Sequence, residues 1–126
     1  MSMEPDFLSK ARDTLLAAQI LLEKELYDSC ANRAYYAAFQ AALAAIASVG
    51  IKAEKSEHKW VQATFNSELL HKRKLFDSRF KTYLLDLQRI RNRADYTNEK
   101  IGFKIASRQL SKAKAFVEII TLRLQP

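Results

Sequence analysis

Apolar residues recur every three or four positions along most of this chain, the spacing that places them on one face of an α-helix. The pattern predicts five helices, at about 6–25, 28–50, 58–70, 76–96 and from beyond residue 98 to about 124. The connections are short, and short connections between long helices join antiparallel neighbours. The sequence therefore predicts an all-α fold, an up-and-down antiparallel bundle of about five helices that forms one domain over residues 1–126.

The most regular apolar stripes belong to the first and last predicted helices. In the first helix the stripe consists of Leu8, Ala11, Leu15, Ala18 and Leu22. In the last helix it consists of Ala106, Leu110, Ala113, Val117, Ile120 and Leu124. We expect both stripes to face the core.

The first two helices also carry residues that are typical of helix ends. Pro5 and Asp6 suit a helix start. Asp28 or Ser29 is expected to accept a hydrogen bond from the first amides of the second helix, and Gly50 to adopt the left-handed conformation just past its end. Alanines cover several faces of this helix. Because small side chains let neighbouring helices approach closely, we expect it to be the central helix of the bundle.

The composition agrees with a helical fold and argues against two other classes of protein. Two glycines and two prolines leave little chain for the turns of an all-β fold. The most apolar stretch, 41–51, is too short for a bilayer helix, which needs roughly 20 residues, and no secretory signal is visible. We therefore expect no membrane association. Cys30 is the single cysteine, so we expect a buried, inert thiol and a cytoplasmic location.

Basic residues outnumber acidic ones in this sequence. Twenty-one Lys and Arg against 14 Asp and Glu give a formal net charge of +7. This balance suits a partner that bears phosphates, but a solvated surface with surplus lysine fits it equally, because there is no long basic tail. The run from His71 to Lys74 is also open to two interpretations. It can oppose the dipole at a helix carboxyl end or contact a phosphate backbone.

Arginine and tyrosine occur on otherwise apolar faces of the second and fourth helices. Arg33 and Tyr36 are three residues apart and share one face, while Arg91 lies beside the apolar stripe of the fourth helix. Two guanidinium groups in a partly desolvated groove bind phosphate oxygens well, because each offers a planar fork of donors. We therefore predict phosphate contacts from Arg33, Tyr36, Arg91 and Arg93. The alternative is that the arginines only satisfy neighbouring groups, which are Asp28, Asn32, Asp95 and helix carbonyls.

Metal and cofactor chemistry find no support in the sequence. Two distant histidines and one cysteine make no plausible zinc site, and there is no glycine-rich phosphate loop. We expect neither a metal nor a cofactor. His58, at the start of the third helix beside charged residues, is interpreted as a surface or capping residue.

Two motifs in this order resemble the HEPN family, whose name stands for higher eukaryotes and prokaryotes nucleotide-binding. The first is Arg33-Ala-Tyr-Tyr-Ala-Ala-Phe39 and the second is Arg91-Asn-Arg-Ala-Asp-Tyr96. Ser56-Glu-His58-Lys is similar to a Ser-His-Lys sequence found before the third helix of the family. The resemblance covers roughly residues 7–122.

The resemblance implies a helical bundle that forms a homodimer and is encoded beside a small nucleotidyltransferase, the two acting as toxin and antitoxin or in defence. Active members of the family are metal-independent ribonucleases that use an arginine and, four to six residues later, a histidine. Arg91 matches the arginine, but Tyr96 stands where the histidine is expected. Tyrosine, with a pKa near 10, is a poor base at neutral pH.

Our leading hypothesis is therefore a binding module in such a two-gene system, which contacts RNA or nucleotide phosphate. The alternative is a ribonuclease in which Arg91 acts with Asp95, Tyr96 or His58 as a non-standard partner. A purely structural helical adaptor is a third possibility.

Overall fold

The computed structural model describes residues 6–53 and 57–125, which contain five α-helices and one π-helical segment. The helices are α1 (Phe7–Glu23), α2 (Tyr27–Ser48), α3 (His58–Thr64), α4 (Phe80–Tyr96) and α5 (Phe103–Leu124), and the π-helical segment (Phe65–Lys72) continues α3. The predicted all-α bundle is confirmed. Within the described ranges, no helix is both long enough and apolar enough to cross a membrane.

Helix α2 lies at the centre of the bundle, as its alanine content predicted. It packs against α1, α4 and α5 and also against α3 and the π-helical segment. Thirteen of its 22 residues are buried, and most of these are alanines. Side chains of this size let four neighbours approach one helix closely, so the other helices are arranged around the backbone of α2.

The stripes predicted for α1 and α5 face this core. In α1, Ala11 and Ala18 are fully buried. In α5 the buried residues include Ala106, Leu110, Ala113, Val117 and Ile120, and Phe116 joins them. Leu124, at the end of α5, is only half-buried but packs against the same core.

The ends of the first two helices agree with the predictions in part. Asp6 caps α1, because its side chain accepts a hydrogen bond from the amide of Ser9. Pro5 lies outside the described residues. Gly50 has a φ of 83°, so it adopts the expected left-handed conformation after α2.

The predicted cap of α2 is wrong. The helix starts at Tyr27, one residue before the candidates, and no side chain caps it. The carboxylate of Asp28 instead accepts a hydrogen bond of 2.8 Å from the amide of Ile101, in the connection to α5. The carboxylate that the local sequence predicted as a helix cap therefore makes a tertiary contact. Because Asp28 is bonded to Ile101, it is not a partner of the arginines.

The third helix changes its geometry halfway, which the periodicity did not predict. After Thr64 the hydrogen bonds of the backbone widen to the π-helical pattern, in which each amide bonds to a carbonyl five residues earlier. Phe65, Leu69 and Leu70, which are four and five residues apart, are all buried. The wider turn places both leucines on the core side.

Helix α4 begins at Phe80, four residues later than predicted. The carboxylate of Asp77 accepts a hydrogen bond from the amide of Arg79, and its carbonyl accepts one from Phe80, so the chain makes a turn there. Phe76 precedes this turn and is nevertheless buried. Because Phe76 is buried outside the helix, the apolar spacing of the sequence begins four residues before α4 does.

Candidate phosphate-binding site

Two guanidinium groups pack against the ring of Tyr36. Cζ of Arg33, also on α2, lies 5.0 Å from the centre of the ring, and Cζ of Arg91, on α4, lies 5.1 Å from it. Nη2 of Arg91 also donates a hydrogen bond to the hydroxyl of Tyr36. The structure thus brings together three of the residues predicted to contact phosphate, although they come from two helices.

Arg91 is buried, with only 8% of its surface exposed. Its Nη1 donates to Oδ1 of Asn92 at 2.8 Å. Its Nε lies 3.3 Å from Oδ2 of Asp95, but the angle gives an ion pair without a hydrogen bond, so this donor has no hydrogen-bond partner in the described chain. A buried guanidinium is costly unless its donors are satisfied, and this one retains a free donor.

Asn32 connects the two arginines through its amide. Its Nδ2 donates to Oδ2 of Asp95 at 2.7 Å, and its Oδ1 accepts from Nε of Arg33 at 2.8 Å. Asp95, whose side chain is 26% exposed, therefore serves both Arg91 and Asn32. The cluster contains two guanidinium groups and one carboxylate, which leaves a local excess of one positive charge. Of the partners that the sequence offered, Asn32 and Asp95 join the cluster and Asp28 does not.

Tyr96 and Arg93 follow Arg91 on α4 but have different surroundings. Tyr96 is 71% exposed, and its ring centre lies 5.5 Å from Cζ of Arg91. Arg93 points to another side of the helix and forms an ion pair of 3.1 Å with Glu99. The structure does not bring Arg93 into the cluster, and its contact with phosphate stays a prediction.

His58 is held among aromatic rings, and its interpretation as a surface or capping residue is wrong. The imidazole stacks on Tyr35 with ring centres 5.4 Å apart and lies 4.8 Å from the ring of Phe39. Tyr36 contacts it edge-on at 5.9 Å. Burial, together with the charge of Arg91, lowers the pKa of His58. The sequence held one signal for this position, the Ser-His-Lys motif, of which Ser56 lies outside the described residues.

The hydroxyl of Tyr35 is bonded to the imidazole of His58. Burial raises the pKa of Tyr35 and outweighs the opposing effects of Gln62 and Arg91, so the phenol keeps its proton. The hydroxyl is hydrogen-bonded to Nδ1 of His58, and the direction of this bond depends on which ring nitrogen carries the imidazole proton.

A cavity of about 600 Å³ between α3 and α4 contains both His58 and Arg91 in its wall. Gln62 and Gln88 also line it, and the amide of Gln62 donates to the side-chain carbonyl of Gln88 across the two helices. The volume lies within the range of about 300–1,000 Å³ that is usual for small-molecule sites. Within the described ranges, no three His, Cys, Asp or Glu residues gather closely enough to hold a metal ion.

Cys30 lies elsewhere, in the interface of α2 with α5. It is fully buried, and its Sγ is 4.0 Å from the carbonyl oxygen of Ala106. Burial raises the pKa of this thiol to about 11, so it remains protonated at neutral pH.

The bundle of α-helices carries an arginine cluster between its central helix and α4. The chain belongs to the HEPN domain family, whose sequence model matches residues 5–124. Membership indicates a function related to nucleotides or RNA. No curated protein is significantly similar to the chain.

Proposed function

We propose that this chain binds RNA or nucleotide phosphate through Arg33 and Arg91. We further propose that it is the HEPN-like component of a two-gene toxin–antitoxin or defence system, a homodimer whose partner is a minimal nucleotidyltransferase. The observation that carries the binding proposal is the convergence of both guanidinium groups on the ring of Tyr36.

Several donors near this ring support the proposal. Arg33 bonds to the described part of the chain through Nε alone, so its two terminal nitrogens can meet a ligand. Arg91 lies in the wall of the adjacent cavity, which His58 also lines. Charge-assisted hydrogen bonds from arginine to phosphate are among the strong ones, and the contacts with Tyr36 hold the forks in place before a ligand arrives.

Tyr96 supports the choice of a nucleotide over inorganic phosphate. Its ring is largely exposed and lies beside Arg91. Stacking on an aromatic side chain contributes roughly 1–3 kcal/mol per base. A phosphate on the arginines and a base on this ring together describe a nucleotide.

Binding of a labelled RNA and of a mononucleotide, followed by fluorescence anisotropy and calorimetry, tests the proposal. We expect Arg33→Gln and Arg91→Lys each to weaken binding about tenfold or more, since a hydrogen bond to a charged group contributes about 1.5–3 kcal/mol. Arg91→Lys keeps the charge and loses the fork. Arg12→Gln, an exposed position on α1, removes the same charge as Arg33→Gln and is expected to leave binding unchanged. Equal affinities in all four proteins would refute the proposal.

A ribonuclease is the second candidate, and one observation favours it. His58 and Arg91 line the same cavity, so an imidazole stands near the arginine although α4 supplies none. An RNA-cleavage assay decides between the two: cleavage that disappears in Arg91→Lys and in His58→Gln would establish the enzyme, with Asp95→Asn and Tyr96→Phe testing the remaining partners.

The partner and the assembly have separate tests. Co-purification with the product of the adjacent gene, with that product identified as a nucleotidyltransferase, is the expected result for the two-gene system. Light scattering is expected to give twice the chain mass of 14.5 kDa. A structural adaptor would bind the partner and show no RNA or nucleotide binding at low salt.

A further inference from the structure

A second cavity adjoins the one that contains Arg91. It has a volume of about 630 Å³ and lies between the π-helical segment and the start of α4. Ala63 and Asn66 line both cavities, so the two are adjacent, and together they are called the α3–α4 groove. His58 and Arg91 lie at one end of this α3–α4 groove, and Lys74 and Lys81 lie at the other.

The charge of the α3–α4 groove has a single sign. Its described lining includes Lys59 and Arg91 at one end and Lys74 and Lys81 at the other, and no carboxylate lines either cavity. A separate cavity beside the start of α2 differs, because Glu25 and Asp28 both line it. Cations at both ends of a groove without acids complement a ligand that carries several phosphates in a row.

Apolar side chains line both cavities beside the polar ones. Leu70 and Phe76 line the second cavity, and Leu85 lines the first while 59% of its surface is exposed. An exposed leucine in a basic groove suits the face of an unpaired base. A duplex offers its phosphates and holds its bases in the stack, so it gains nothing from apolar side chains in the groove, whereas a single strand contributes both groups.

The four residues of the basic run from His71 to Lys74 make two different kinds of contact. Lys72 and Arg73 both pair with Glu68, at 3.7 and 3.0 Å, which accounts for them structurally. His71 and Lys74 line the second cavity. Lys74 also has a φ of 53°, a left-handed conformation that favours glycine or asparagine at the end of a helix.

We propose that the α3–α4 groove binds single-stranded RNA, with one phosphate at the arginine cluster and further phosphates at a subsite formed by His71, Lys74 and Lys81. This inference rests on the proposed function and extends it, because the ligand becomes an oligonucleotide and not a mononucleotide. The arginine cluster holds either ligand, but the lysine subsite contacts only the longer one.

The test compares a mononucleotide with a single-stranded RNA of roughly 12 nucleotides, within the usual site sizes of single-strand binding domains. The double variant Lys74→Gln/Lys81→Gln is expected to bind the oligonucleotide about tenfold more weakly and to reduce the salt slope by about 1.4, or about 0.7 for each lost phosphate contact. Its affinity for the mononucleotide is expected to stay unchanged. Lys104→Gln/Lys114→Gln, at exposed positions of α5, is the control with the same change of charge.

The possible outcomes separate the two proposals. If Arg33→Gln and Arg91→Lys weaken binding and Lys74→Gln/Lys81→Gln binds the oligonucleotide like the control, the lysine subsite is refuted and the proposed function stands. If the unaltered protein binds neither ligand, both fail. Duplex RNA bound as tightly as the single strand would overturn the assignment of a single strand. A selective loss for the oligonucleotide in the groove variant establishes the subsite.

Discussion

Arg91 donates a hydrogen bond to the hydroxyl of Tyr36, a residue 55 positions earlier in the chain. This bond joins α4 to the central helix, and it involves the one charged side chain that is buried among the described residues. The same contact sets the position of the cation in the candidate site. Stability and the proposed ligand binding therefore depend on shared atoms, and different substitutions separate the two.

Arg91→Ala is expected to lower the free energy of unfolding by about 1–3 kcal/mol, because the hydroxyl of Tyr36 and the carboxylate of Asp95 each lose a partner in a partly buried place. Urea denaturation measures the change. Arg93→Ala is the control on the same helix. Its ion pair with Glu99 is exposed, so the expected loss stays below about 0.5 kcal/mol. Similar losses for both variants would contradict the structural role of Arg91.

Tyr36→Phe and Tyr36→Leu separate the hydroxyl from the ring. Phenylalanine keeps a ring against both guanidinium groups and loses only the acceptor, so we expect nucleotide binding to weaken by less than about fivefold. Leucine removes the aromatic face as well and is expected to weaken binding further. Calorimetric titration with a mononucleotide checks the order. Equal effects would mean that the ring does not position the arginines.

His58 is expected to make the stability depend on pH. Its pKa is lowered in the folded protein, so the unfolded chain binds the proton more readily and stability falls as the pH drops below the unfolded value of about 6.5. Denaturation at about pH 7.5 and about pH 5.5 measures this loss. His58→Gln is expected to reduce the difference between the two pH values. His71→Gln, an exposed position, removes the other histidine of the chain and is expected to preserve the difference.

Asp86 joins α4 to α5 and is expected to contribute to stability only above acid pH. Burial would raise the pKa of Asp86, but hydrogen bonds from Lys112, Arg89 and Gln109 hold it below its usual value. Its contribution is present above the unfolded value of about 3.9 and is lost as the pH falls through the lower folded value. Asp86→Asn is therefore expected to destabilise the protein by about 1–3 kcal/mol at neutral pH. The difference in the free energy of unfolding between Asp86→Asn and the unaltered protein should disappear at acid pH. A difference that persists there would contradict the role of the charge.

Lys74→Gly is expected to stabilise the fold and weaken the binding of an oligonucleotide. Glycine adopts a positive φ without strain, so the gain is up to about 1 kcal/mol. Thermal denaturation and anisotropy measure the two effects. Glu25→Gly serves as control, since Glu25 has a φ of 62° after α1 and lies away from the α3–α4 groove. It should gain stability without weaker binding, and weaker binding in both variants would remove the link to the side chain of Lys74.

Periodicity of three to four residues was enough to predict the bundle and the stripes of α1 and α5, because a buried helical face leaves its spacing in the sequence. The alanines of α2 predicted its central position. Asp6 and Gly50 were also predictable, since a cap and a left-handed turn depend on one or two neighbouring residues. The grouping of Arg33, Tyr36 and Arg91 was predictable in outline, from helices expected to be neighbours.

Only the tertiary structure decided which polar groups meet. Asp28 bonds to the amide of Ile101 and not to its own helix, and His58 lies in an aromatic cage formed by α2. The π-helical segment and the α3–α4 groove were likewise decided by the tertiary structure. Each depends on atoms far apart in the chain, and the hydrogen bonds and contacts between them are chosen by the packing of whole helices and not by the residues on either side.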